Sequence, residues 1–141
     1  MLCEPPTWCP EAAMASLETE APRPILIVED DQDQRDVLEH RLHKQGFRTL
    51  TADGGRAAVA LAREHRPQLI LLDLEMPDGD GLTACHTLFD DPNTCELPVI
   101  IVSGSERADI VRVSRAAGCR FFLKKPYDPN VLLSLIEAAL A

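Results

Sequence analysis

The chain is 141 residues long, 45% apolar, and carries a formal net charge of −9. That length holds one domain with a real core and is too short for two ordinary ones. A negative field of this size disfavours nucleic acid and anionic membrane as direct partners, and suits a chain that gathers carboxylates around a divalent cation.

Residues 1–23 stand apart from the rest. They carry Pro5, Pro6, Pro10 and Pro22, several glutamates and little apolar periodicity. Such a segment buries too little to offset its ordering entropy, so it reads as a flexible tail ahead of a domain over 24–141. Within the tail, Glu11 to Glu20 has the composition of a short helix, and Trp8 is a large apolar side chain free to dock.

From Ile25 the pattern changes. Ile25-Leu26-Ile27-Val28 is a first strand with no polar partner residue, ending on Glu29, Asp30 and Asp31. Gln32 to Gln45 reads as a helix with Val37, Leu38 and Leu42 on one stripe and Gly46 as its stop. Phe47 to Ala52 is a second strand, and Gly55 to His65 an Ala-rich helix closed by Pro67. Gln68 to Asp73 is a third strand, apolar until its last residue and broken at once by Pro77, Gly79 and Gly81. Gly81 to Phe89 is a third helix, Pro98 to Ser103 a fourth strand, and Glu106 to Ala117 a fourth helix stopped by Gly118. Arg120 to Lys124 is a fifth strand, and Pro129 to Leu140 a final amphipathic helix.

Strict alternation of strand and helix, five times over, predicts an α/β fold: a doubly wound five-stranded parallel sheet with helices on both faces and right-handed crossovers. The order 2-1-3-4-5 of a flavodoxin-like (βα)5 fold is favoured, because it sets the ends of strands one and three side by side with strand four next. Ligands of such sheets bind beyond the carboxyl ends of the strands. Those ends carry Glu29 and Asp30, then Asp73, then Ser103, then Lys125. Taken singly, each is an ordinary capping, turn or loop residue, and Asp31 or Asp33 serves equally well to cap the first helix. Together they are the parts of a phosphoryl-transfer site. Crowded carboxylates repel unless a cation sits among them, and Mg²⁺ suits one or two carboxylates with phosphate and water. A lysine holds a phosphate oxygen as a point charge, and a serine hydroxyl donates to another. A carboxylate at the centre is then the nucleophile, giving an acyl phosphate.

Four stretches carry a family resemblance: Ile25-Leu26-Ile27-Val28-Glu29-Asp30-Asp31, Asp73-Leu74-Glu75-Met76-Pro77 with Gly81, Val102-Ser103-Gly104, and Lys125-Pro126. From about Pro24 to Ala141 the chain resembles the receiver domain of bacterial two-component response regulators. The resemblance implies that Asp73 accepts a phosphoryl group from a histidine kinase or phosphotransfer protein. It implies Mg²⁺ on Asp30, Asp73 and the Glu75 backbone carbonyl, with Glu29 in the outer acidic shell. Ser103 and Lys125 would contact the phosphoryl group, Gly104 would leave room for it, and Glu75 and Ser105 would tune its lifetime. Ser103 and Phe122 would form the switch, Lys125-Pro126 would be a cis peptide, and the face of the fourth helix, fifth strand and fifth helix would meet an output partner or a second copy of the chain. On this reading the protein is a signalling domain that catalyses only its own phosphorylation and dephosphorylation.

Two other readings compete. Asp31-Gln32-Asp33 superficially matches the nucleophile motif of haloacid dehalogenase phosphatases, but Asp31 is offset from the strand end and only Asp128 follows Lys125. A phosphorylation-independent interaction module on the same fold would not need the full set of Asp30, Asp73, Ser103 and Lys125. The five cysteines form no CxxC pair, so neither a disulfide framework nor a zinc site is indicated. With no basic-then-apolar leader and no long apolar run, the expected location is the cytoplasm, away from membranes.

Overall fold

The computed structural model describes residues 22–76 and 81–141. The expected tail, with its Glu11–Glu20 helix and Trp8, falls almost wholly outside the described residues. Its last two residues are tied to the domain: Arg48 Nη1 donates to the Pro22 carbonyl at 3.5 Å, and Gln68 Nε2 to that of Arg23 at 2.6 Å.

Five parallel strands form one sheet in the order β2-β1-β3-β4-β5: β1 (Ile25–Val28), β2 (Thr49–Ala52), β3 (Leu69–Asp73), β4 (Val99–Ser103) and β5 (Phe121–Lys124). Between and after them run α1 (Gln32–Lys44), α2 (Gly55–His65), α3 (Gly81–Asp90), α4 (Ile110–Ala116) and α5 (Pro129–Leu140). The three central strands are buried along their whole length, as their uninterrupted apolar runs require of strands covered on both faces.

The sheet splits the interior into two layers. On one side Ala58 and Ala62 of α2, Cys85 and Leu88 of α3, Ala117 and Cys119 pack on Leu26, Val28, Ile70, Leu72 and Ile101. On the other, Leu42 of α1 and Leu132, Ile136 and Ala139 of α5 pack on Ile25, Ile27, Leu69, Leu71, Ile100 and Val102. The alternation along each strand assigns successive side chains to opposite layers. In β5 it sends Phe122 to the first layer and Phe121 and Leu123 to the second.

Helix ends follow from local chemistry. Asp31 caps α1, its Oδ1 accepting from the Asp33 and Gln34 amides at 2.9 and 3.2 Å, and Asp128 caps α5 through the Asn130 amide at 2.8 Å. At the other end of α1, Gly46 N–H donates to His43 O and Phe47 N–H to Leu42 O around a left-handed Gly46 of φ 89°. This closing motif favours glycine because a Cβ there would be strained. It also draws Phe47 into the helix end, so β2 starts at Thr49 rather than at Phe47.

The largest difference from the sequence reading is α4, which begins at Ile110 and not at Glu106. Ser105 Oγ accepts from the Arg107 amide at 3.1 Å, and the Arg107 guanidinium pairs with Asp109. These side-chain bonds offer the backbone an alternative to helix over residues 105–109.

Candidate functional site

The polar candidates of the sequence stand at the carboxyl edge of the sheet. β1 delivers Glu29 and Asp30, β3 ends on Asp73, β4 ends on Ser103, and Lys125 follows β5. Parallel pairing sets Asp73 beside Val102 and Ser103 beside Lys124. The Lys125 amide extends that ladder to the Ser103 carbonyl at 2.8 Å. The next peptide, Lys125-Pro126, is cis.

Carboxylate oxygens of Glu29, Asp30 and Asp73 lie within 4.8 Å of one another. Glu29 and Asp73 are buried, and Asp30 is exposed to solvent. Lys125 Nζ reaches into this group, 3.0 Å from Asp73 Oδ2 and 3.4 Å from Glu29 Oε1. One ammonium among three carboxyl groups cannot balance them once all three ionise, and an oxygen-seeking divalent cation relieves that repulsion. The donor set therefore fits Mg²⁺. Glu29 belongs to this triad as closely as the two aspartates do.

Burial, first, and then the hydrogen bond and charge of Asp73 push the Glu29 carboxyl from 4.5 up to about 8, although Lys125 and the Asp31 amide pull the other way. Glu29 also lines a cavity of about 220 Å³ with Val37, Leu38, Leu71 and Leu132, which Asp73 and Lys125 border as well. Burial pulls the Lys125 ammonium down, but the hydrogen bond and charge of Asp73, helped by Glu29, outweigh it and hold Lys125 above the usual lysine value.

Three contacts lie beyond the sequence reading. Gln34, in the first turn of α1, accepts from Lys125 Nζ at 3.1 Å and helps aim it. Arg35 Nη1 donates to the carbonyls of Glu29 and Asp30 at 2.8 and 3.1 Å, bracing the loop that presents both acids. The Glu75 side chain turns toward β4, where the Ser103 hydroxyl donates to Oε2 at 2.5 Å. Only the cap spacing after Asp31 hinted at the first two, since residues three and four past a cap share the helix end nearest the strand tips. Phe122 lies inside β5 beside Ile101, half-buried in the first apolar layer and short of the strand end that carries Lys125.

Residues 25–137 match the response regulator receiver domain family. PilH of Pseudomonas aeruginosa is 38% identical over 117 residues, which is 83% of this chain and 97% of that protein. Among solved structures, the chemotaxis protein CheY4 of Vibrio cholerae superposes with a TM-score of 0.79 at 26% identity, covering 85% of this chain and all of the other. The receiver domain of a sensor histidine kinase from Pseudomonas aeruginosa, described with a magnesium ion coordinated in its active-site cleft, gives 0.78 at 27% identity and covers 85% of this chain and 98% of its own. The sheet order is that of these receiver structures, and the match over residues 25–137 sets the class. The chain belongs to the response regulator receiver domain family. Receivers are signalling domains of two-component systems, which interact with histidine kinases or phosphotransfer proteins. No helix among the described residues is long and apolar enough to cross a membrane.

Proposed function

We propose that Asp73 is the phosphoacceptor of this receiver, and that its phosphorylation by a histidine kinase or phosphotransfer protein switches a partner-binding face. The observation that carries this is the 3.0 Å contact of Lys125 with Asp73 Oδ2 inside the Glu29, Asp30 and Asp73 triad. An Asp73 carboxylate oxygen attacks the phosphorus of a phosphohistidine. The new P–O bond forms as the P–N bond breaks, and the imidazole leaves with the electron pair and takes up a proton from water. Mg²⁺, held by Asp30, Asp73 and the Glu75 carbonyl with Glu29 beside them, would neutralise charge on the transferring group. Lys125 holds one phosphoryl oxygen, and the Ser103 hydroxyl donates to another. Hydrolysis of the acyl phosphate returns Asp73, so the only chemistry is the domain's own phosphorylation and dephosphorylation.

When Ser103 turns toward a phosphoryl oxygen, Phe122 rotates into the vacated space beside β4. Dense interiors make such a move two-state. The surface that changes is formed by α4, β5 and α5, and it binds an output partner or a second copy of the chain. The free thiols Cys85, Cys95 and Cys119 suit the reducing cytoplasm.

Acetyl phosphate with Mg²⁺ should add one phosphoryl group to the wild type and none to Asp73→Asn, read by intact mass. With beryllofluoride, amide resonances of Phe122 and α5 should shift. Undiminished labelling of Asp73→Asn would sink the assignment, and shifts confined to the loops around Asp73 would sink the switch.

A further inference from the structure

Glu75 lies two residues beyond Asp73, and its own N–H donates to Asp73 Oδ1 at 3.0 Å. Its carboxylate is not left to solvent. The Ser103 hydroxyl donates to Oε2 at 2.5 Å, and the Gly104 N–H donates to Oε1 at 2.7 Å. Ser103 is fully buried, and its Oγ accepts in turn from the Ser105 amide at 3.0 Å. A Cβ at Gly104 would stand in van der Waals contact with Glu75 Oε1, 3.4 Å away. The carboxylate thus spans two neighbouring donors at the end of β4, adjacent to the strand end that carries Asp73.

A phosphoryl group on Asp73 would present its oxygens to that same strand end. Ser103 has one hydroxyl proton and Gly104 one amide proton, so the two anions cannot both be served there. They also repel at this range. We propose that the Glu75 side chain is a resident competitor for the phosphoryl pocket. It occupies the donors Ser103 and Gly104 that the phosphoryl oxygens would use, and must swing out, releasing the Ser103 hydroxyl to turn to them, before Asp73 is phosphorylated. The proposal rests on Asp73 being the phosphoacceptor. Charge-assisted bonds to a carboxylate are strong, but Glu75 is exposed and water competes for it. The clamped form therefore lowers apparent affinity for a phosphoryl analogue by the fraction of molecules left open.

The test uses the full chain as wild type, Glu75→Gln, Glu75→Ala, and Glu64→Ala, which removes the same charge from an exposed position on α2. Amide NMR without phosphate reads the clamp. The Gly104 proton should lie downfield in the wild type, move upfield in Glu75→Ala, and take an intermediate place in Glu75→Gln. Titration with beryllofluoride and Mg²⁺ reads the competition. Affinity should rise about three- to tenfold in Glu75→Ala, and stay at the wild-type value in Glu64→Ala. A Gly104 resonance unchanged across the variants overturns the proposal, as does an affinity that Glu75→Ala raises no more than Glu64→Ala. A Gly104 resonance that moves while no protein binds beryllofluoride overturns the phosphoacceptor reading, and the competition with it.

Discussion

A proton stays on Glu29 to about pH 8 because the folded chain buries it against Asp73 and an apolar wall. In the unfolded chain it leaves near the ordinary value of 4.5. Between those limits the unfolded state binds fewer protons than the folded one, so stability from this group falls as pH rises. Mg²⁺ must displace the same proton, so its apparent affinity should climb through that window. Thermal unfolding with and without Mg²⁺ checks both signs: the gain in melting temperature from Mg²⁺ should grow from about pH 5 to about pH 8. Glu29→Gln should flatten the dependence, and a wild-type gain independent of pH would refute the account. The aspartates and Ser103 were legible in the sequence because strand ends fix where short side chains go, and Lys125 because it precedes Pro126 just past the fifth strand. Gln34, Arg35 and the Glu75 carboxylate were not. Each reaches its partner through two or more rotatable bonds, and its direction is set by groups distant in the chain.

At the scale of elements, β1, β3 and β4 were legible as apolar runs, the two edge strands from the alternation with helices, and the ends of α1 and α4 from glycines. The start of α4 was missed because Ser105, Arg107 and Asp109 stabilise a non-helical approach that periodicity does not register. Contacts at Gly81 explain why α3 starts with so small a residue. A Cβ there would stand 2.8 Å from Leu74 Cα and 2.9 Å from the Asp73 carbonyl oxygen. Backbone atoms cannot step aside as a flexible side chain does. Gly81→Ala should therefore cost about 1–3 kcal/mol in urea unfolding and slow phosphorylation of Asp73 by shifting its loop. A variant with wild-type stability and labelling rate would show that α3 moves freely relative to β3.

For the molecule as a whole, strand order was the least secure step, since alternation alone leaves it open. It followed from needing the acidic ends of β1 and β3 together, and the family resemblance pointed the same way. The sheet that results is a partition as well as a platform. Among the described residues the two buried thiols, Cys85 and Cys119, lie on the side covered by α2 and α3, and the layer under α1 and α5 contains none. Burial lifts Cys119 and raises Cys85 to about 12, keeping both as unreactive thiols while the layer stays closed. With Cys3, Cys9 and Cys95 replaced by serine, a thiol reagent becomes a one-sided clock. It should mark openings of the α2 and α3 layer and stay silent when α1 or α5 alone lifts away. Modification timed against amide exchange in each layer would show whether the two halves of the core breathe together or in turn.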